Sequence, residues 1–423
     1  MRPEILAPVG SMEALNAALA AGCDAVYFGL PSFGARAFAN NFNLETTKEV
    51  IERCHLCGVK VYITMNTILY EDEIEDAYQM AKKVHSFGVD ALIIQDLGFI
   101  HLLHHRLPNL VLHASTQLSI SNPHQIEQLK KLGVQRVVLA RECTKEEIQA
   151  CVNTGIEVEV FVHGALCICY SGQCYFSSVH YGRSGNRGMC AQPCRMKYSL
   201  YEDGNKLETD GEYLLSPKDL SLMDEVNTLA DMGVCSLKIE GRMKSAPYVY
   251  ESVSQVKKVL DHLDRNMLDE QNLRVTFNRE YTLGHMYKAC GKSLMNSKTS
   301  NHQGIEIGKV TKVKKNKICI QLSQNLHQND GIRFEQENLG CNVNFMYDKK
   351  QNLISFMPKN NTVMIEGPIG IHVGSKVRKT MDSELNKTID EKIRTSRRQS
   401  KVHAIVTCEE VGQPMCMEVY NDS

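Results

Sequence analysis

The chain has 423 residues, lacks tryptophan and any long apolar run, and carries almost no net charge. Its 48 Lys and Arg nearly cancel 49 Asp and Glu, leaving a net charge of −1. No overall field draws such a molecule onto nucleic acid, so contact of that kind rests on a local basic patch. No apolar stretch reaches ~18 residues, so no membrane span is expected. The opening MRPEILAPVGS has no apolar h-region with a small-residue cleavage site. Export is therefore not expected, and a cytoplasmic setting is. HExxH, GxSxG and a GxGxxG turn after the first strand are missing, which removes the usual zinc-protease, serine-hydrolase and dinucleotide signals. The radical-type CxxxCxxC triplet is missing as well. What the sequence does have is 16 Cys in a composition of 43% hydrophobic and 23% charged residues. In a reducing compartment, clustered Cys points to metal or redox chemistry rather than disulfides.

One unit recurs through the first half. A helical stretch ends at Gly, and a β-rich run follows at once, as after Gly22, Gly58, Gly88, Gly133, Gly155 and Gly233. Glycine suits the position past a helix C-terminus because it takes the left-handed conformation without strain. Eight strands are predicted: Glu4–Ala7, Ala25–Gly29, Lys60–Thr64, Ala91–Ile94, Val111–His113, Arg136–Ala140, Glu157–Val162 and Cys235–Ile239. Runs such as AVYF and ALII are apolar on both faces, as buried parallel strands are. Amphipathic stretches such as Ser11–Ala21 and Leu44–Cys57 lie between them, with Ser11 and Asn43 as N-caps. The pattern predicts an α/β fold, a (β/α)8 TIM-like barrel over residues 1–267, with an open doubly wound sheet as the rival. A long Cys-, Gly- and Arg-rich loop, 163–215, interrupts it before a helix placed near Leu220, and loops that long are usually functional. From 268 to 385, alternating apolar and polar runs broken by Gly, Asn and Asp predict a small antiparallel β-barrel domain. Residues 386–423 read as a polar linker, then a hairpin around Gly412–Pro414 that begins a possible further domain.

Within the long loop, Cys167, Cys174, Cys190 and Cys194 stand among Gly, Ser, Asn and Arg. They follow the seventh strand, at the end of the barrel where active sites are built. Four thiolates on one loop can hold zinc or an iron–sulfur cluster. The simpler alternative, Cys as a small buried residue, suits Cys23, Cys54, Cys143 and Cys151 better.

These residues carry a family resemblance. Glu159-x-Phe161-x-x-Gly164-Ala165-Leu166-Cys167-x4-Gly172-x-Cys174-x-Phe176-Ser177 resembles the signature of the peptidase U32 family. So do Ala7–Ser11, Gly188–Arg195, Leu237–Ser245 and Asn301–Gly308, with Phe176 standing where an aliphatic residue is usual. The resemblance implies a barrel carrying a [4Fe–4S] cluster on four cysteines, here Cys167, Cys174, Cys190 and Cys194. It implies oxygen-independent hydroxylation of a pyrimidine in tRNA or 23S rRNA, with prephenate as a carboxylate co-substrate and oxygen source. The family name itself comes from a collagenase-type protease assignment. A peptidase is therefore the alternative, and a non-catalytic module held by zinc or a cluster and docking on RNA is a second.

The predicted strand ends expose Ser11, Arg36, Asn66, Gln117, Arg141, His163, Lys238, Glu240 and Arg242, all substrate-facing candidates in a barrel. Arg141 and Arg242 can hold a carboxylate through bidentate hydrogen bonds, which suits prephenate. With Glu240, and with His163 moving protons, they form the catalytic expectation. Ser11, Arg36, Asn66, Gln117 and Lys238 form the substrate-binding one. The competing reading makes Lys238–Glu240 and Arg141–Glu142 ion pairs that fix loops, and His163 a packed histidine. Arg183, Arg187, Arg195 and Lys197 with Tyr170, Tyr175 and Tyr181 suit phosphates and an unpaired base. Lys309, Lys312, Lys314, Lys315 and Lys317 form a second, weaker patch.

Overall fold

A computed structural model describes residues 2–35, 42–262, 268–398, 402–408 and 414–420. Eight parallel strands close into a barrel: β1 Glu4–Pro8, β2 Ala25–Gly29, β3 Lys60–Met65, β4 Ala91–Ile94, β5 Leu112–Ala114, β6 Arg136–Val138, β7 Glu157–Ala165 and β8 Ser236–Ile239. Each pairs with its successor, and β8 pairs with both β7 and β1, so the ring has no edge and the open-sheet rival is excluded. Each expected strand is present, with ends displaced by at most two residues except in β7, which runs three residues further, to Ala165. The helices start where the sequence places caps. The Ser11 side chain accepts from the Ala14 amide ahead of helix Met12–Ala21, and Asn43 accepts from Thr46 ahead of helix Leu44–Leu56. Gly22 then ends the first helix with φ 88°, a conformation that costs any other residue strain.

Two apolar layers hold the barrel. Between strands and helices lies a large core in which Ile5, Leu15, Phe28, Ile51, Ile63 and Leu92 are almost fully buried. Each such side chain contributes about 1.5–3 kcal/mol by leaving water. Inside the ring a smaller cluster holds Leu6, Tyr27, Tyr62 and Ile93. Beside it runs a buried ionic network. Arg136 contacts Glu4 at 2.8 Å and Glu159 at 3.4 Å, and Lys238 contacts Glu159 at 2.7 Å.

β7 is the longest barrel strand, and its length has a consequence. Its first residues pair with β6, its middle with β8, and its last three, His163–Ala165, with Ser221–Asp219 in antiparallel sense. Leu220 is therefore in a strand, not near the start of a helix. The pairing to β7 closes the Cys-rich excursion 166–218 like a clasp, and the following helix begins only at Val226. Tyr281–Thr282 adds to the same strip beside Asp219–Leu220, so the barrel keeps the chain beyond residue 268.

The second domain is antiparallel, as expected. Its eight-stranded sheet runs from Leu339–Asn342 to Leu353–Ile354 and stays open between those two edges, as a half-barrel around Ile307, Ile320, Phe334 and Val363. The stretch after residue 382 differs from a linker. Asp382 caps a helix, Ser383–Thr395, and its Ile389 is buried in the barrel's core. Strands His403–Thr407 and Cys416–Tyr420 form an exposed hairpin. Its expected turn at Gly412–Pro414 lies largely outside the described residues.

Candidate functional site

The C-terminal ends of the strands surround a cavity of about 180 Å³. Its wall brings together nine of the expected residues: Asn66, Gln117, Arg141, Cys167, Cys174, Cys190, Lys238, Glu240 and Arg242. It also includes Tyr27, Thr64 and Phe161, which the sequence presents as ordinary interior strand positions, and Ser171 and Asn186 from the excursion.

The cationic groups are held firmly. Lys238 is 4% exposed; its ammonium donates to Glu159 and lies 4.4 Å from the Tyr27 ring centre. Burial lowers its pKa, against the pull of Glu159. Arg242 donates to Thr64 Oγ1 at 2.9 Å. Arg141 spans Glu240 at 2.9 Å and the Ala165 carbonyl at 3.2 Å, and its guanidinium lies 4.0 Å from the centre of the Phe161 ring. Both ion-pair expectations therefore change partner. Lys238 pairs with Glu159 on the adjacent strand β7 rather than with Glu240. Arg141 pairs with Glu240, while Glu142 accepts from the Ser171 amide at 3.0 Å and hydroxyl at 3.1 Å.

The neutral side of the cavity is an amide chain. Asn66 accepts from the Ala35 amide and donates to Ser115 Oγ at 3.2 Å, and Gln117 donates to the Asn66 carbonyl at 3.1 Å.

Four expected residues are not on the cavity wall, Cys194 among them. Ser11 is occupied as a helix cap. Arg36 lies outside the described residues. His163 is 1% exposed, packed 5.7 Å from the Tyr248 ring and 5.3 Å from Tyr281, with Nδ1 unpartnered. Burial lowers its pKa to about 4. It is a neutral packed histidine beneath the mouth, which corrects its expected role in proton transfer at neutral pH.

The excursion is built to bring its cysteines to this mouth. Gly172, at φ 75°, lies so close to the turn after β5 that a Cβ there would stand 2.0 Å from the Gln117 carbonyl oxygen. Asn186 donates to the Gly172 carbonyl at 2.9 Å, and Ser177 Oγ accepts from the Ala191 amide at 2.8 Å. Arg187 reaches across to the Ile68 carbonyl and Glu73, with its guanidinium 4.5 Å from the Tyr70 ring centre.

The four thiols act on one another electrostatically: Cys167 on both Cys174 and Cys194, and Cys190 on Cys194. Burial pushes Cys174 up to about 11 and raises Cys194, whose rise Arg195 opposes. The sulfurs also receive backbone donors, Gln192 N–H to Cys190 Sγ at 3.3 Å and the Phe176 amide to Cys174. Among the described residues, the only trio of His, Cys, Asp or Glu donor atoms all within 4.8 Å of one another is His327, Asp330 and Asp382. There the Lys379 ammonium, 2.8 Å from both carboxylates, already takes a cation's place. No three of the cysteine sulfurs therefore lie all within 4.8 Å of one another, although Cys167 and Cys174 are paired by a side-chain hydrogen bond.

Around the mouth, Tyr170, Tyr175, Tyr181 and Tyr201 are more than half exposed. Among the described residues no helix is long and apolar enough to cross a membrane.

Comparison with known proteins gives concordant matches. The chain is 34% identical over 373 residues to the 23S rRNA 5-hydroxycytidine C2501 synthase of Escherichia coli, covering 84% of this chain and 56% of that protein. It is 40% identical over 267 residues to tRNA hydroxylation protein P1 of Bacillus subtilis, covering 62% of this chain and 63% of that protein. A protein of Porphyromonas gingivalis named collagenase is 34% identical over 304 residues, covering 67% of this chain and 73% of that protein. The chain thus spans under two thirds of the length of the first two. The sequence profile of peptidase family U32 matches residues 10–296, from the first barrel turn through the cysteine excursion to the strip that closes it. That match takes in every element lining the cavity, and it makes this chain a member of peptidase family U32.

Proposed function

We propose that this protein is an RNA-modifying enzyme that hydroxylates a pyrimidine of tRNA or 23S rRNA. In this reading it works without dioxygen, uses a prephenate-type carboxylate as co-substrate, and holds a [4Fe–4S] cluster. The observation that carries the reading is a single cavity walled on one side by Cys167, Cys174 and Cys190 and on the other by Lys238, Arg242 and Arg141. The names of the relatives supply the substrate class. Cys167, Cys174, Cys190 and Cys194 would hold the cluster. Amide donors to cysteine sulfur are a recurring feature of such centres. When bound, the cluster supplies one-electron transfer.

The remaining roles belong to the chain itself. Lys238 and Arg242 offer two fixed cations for carboxylates, held by Glu159 and Thr64 so that little order is lost on binding. Arg141, tied to Glu240 and stacked on Phe161, walls the same side and positions Glu240. Asn66, Ser115 and Gln117 supply neutral donors and acceptors for a heterocycle. Tyr170, Tyr175 and Tyr181, with Arg183 and Lys197 nearby in sequence, offer stacking faces and phosphate contacts for an unpaired strand. Installing a hydroxyl on a pyrimidine removes two electrons from the base. We assign both the electron acceptor and the oxygen source to the carboxylate co-substrate. The peptidase alternative gains no support from the cavity, whose described lining contains no histidine to activate a thiol.

The test is mass spectrometry of tRNA and rRNA nucleosides from a strain lacking the gene. The proposal expects one hydroxylated pyrimidine to vanish, to return with the wild-type gene, and to stay absent with Cys167→Ala or Arg242→Gln. Unchanged hydroxylation in both RNA classes contradicts it.

A further inference from the structure

Arg195 follows Cys194 and ties the two ends of the cysteine excursion together. Its guanidinium donates to Ser216 Oγ at 2.8 Å, to the Pro217 carbonyl, and at 3.2 Å to the carbonyl of Leu166, the residue before Cys167. All three acceptors are neutral. Among the described residues no carboxylate lies within ion-pair distance of Arg195, although the side chain is partly buried. Its neighbour Arg279 is satisfied, gripping Asp219 at 2.6 and 3.0 Å. Lys244, the third cation here, lies 2.8 Å from the Phe277 ring centre and likewise forms no ion pair among the described residues. Asp219 acts on all three and Glu240 on Lys244 as well, but no carboxylate touches Arg195 among the described residues. A charge drawn out of water without a counter-charge is costly, so such an arrangement points to an anion not yet counted. The groups on which Arg195 acts most directly, besides Arg279 and Asp219, are the thiols of Cys194 and Cys167.

We infer that Arg195 is the counter-charge of the metal centre held by the four cysteines, balancing the thiolates that a cluster requires. The inference rests on the iron–sulfur reading above. A cluster bound by four thiolates is a net anion, and one added electron makes it more so. A fixed cation beside it therefore favours both retention and the reduced state. Arg195 is a positioning and charge-balancing residue.

The test uses the full chain, reconstituted anaerobically with iron and sulfide, as wild type, Arg195→Gln and Arg195→Lys. Midpoint potentials are measured by mediated titration, in which one electron from the electrode enters the cluster. The expected result is a more negative potential for the Gln variant and a near wild-type potential for the Lys variant, which keeps the charge. Equal potentials for all three overturn the inference. If the Gln variant takes up no cluster, thermal unfolding of the metal-free forms decides. Melting no lower than metal-free wild type supports a charge role, because repulsion from Arg279 has been relieved. Lower melting shows a mere clamp and overturns it. Wild-type protein that takes up neither iron nor sulfide contradicts the proposed function itself, a result distinct from either.

Discussion

Lys238 and His163 sit only a few residues apart across the β7–β8 pairing, yet burial treats them differently. Lys238 has a carboxylate partner in Glu159 at 2.7 Å and is held in place as a cation on the cavity wall. His163 is packed against rings with no partner for Nδ1, and burial disfavours its charged form while Asp219 and Lys244 act on it in opposite directions. Its pKa falls from the ordinary 6.5 to about 4, so between those values the unfolded chain binds a proton that the folded chain does not. Stability from this group is therefore present above pH 6.5 and lost as pH falls toward 4. Denaturant titrations of wild type at about pH 8 and about pH 5 are expected to differ by about 2 kcal/mol more than those of His163→Met. An equal pH dependence in the two proteins contradicts the assignment of a buried neutral imidazole. Sequence placed His163 correctly at the end of β7. It could not reveal that Tyr248 and Tyr281, brought in from distant parts of the chain, would cover it. The same limit explains the exchanged ion pairs. Neighbours in sequence, Arg141–Glu142 and Lys238–Glu240, were the visible candidates, but Arg141, Glu142 and Glu240 lie past the strand ends, where the chain turns and sequence spacing no longer sets which side chains meet. The true partners come from other strands and strand ends that are distant in sequence.

At the scale of elements, six of the eight barrel strands were legible because each carries its own signal, a glycine ending a helix followed by a β-rich run. Asp219–Ser221 carries none. Its three residues become a strand only because the overlong β7 offers a free edge, which is a non-local fact. The cysteine excursion was legible as functional but not in its docking. Gly172 shows how that docking works, since its left-handed φ of 75° and its close approach to Gln117 both exclude a side chain. Gly172→Ala is expected to lift the excursion from the turn after β5 while sparing the barrel, at a cost of about 1–3 kcal/mol. Limited proteolysis reads this directly, with faster cleavage inside 166–218 and an unchanged melting temperature for the barrel. Unaltered protection of that segment contradicts the docking.

Across the whole molecule, the closed ring does two jobs with one set of strands. Its interior carries the Glu4–Arg136–Glu159–Lys238 network that anchors a cation at the mouth, and its longest strand launches and then clasps the cysteine excursion. Helix Ser383–Thr395 returns to the barrel core through Ile389, and Arg398 donates to the Cys57 carbonyl at 2.9 Å, so the second domain is followed by chain packed back onto the first. A charged amphipathic stretch reads as linker in isolation, because the surface that covers its apolar stripe belongs to another domain.

The central claim is that sulfurs from Cys167, Cys174, Cys190 and Cys194 serve one iron–sulfur centre at the barrel mouth. It is tested most directly by oxygen-free purification of the full chain and quantification of iron, acid-labile sulfide and zinc per chain, with single Cys→Ala variants of the four positions alongside. The account predicts about four irons and four sulfides in the wild type, with marked loss in each variant. Zinc without sulfide, or metal content indifferent to all four substitutions, contradicts it.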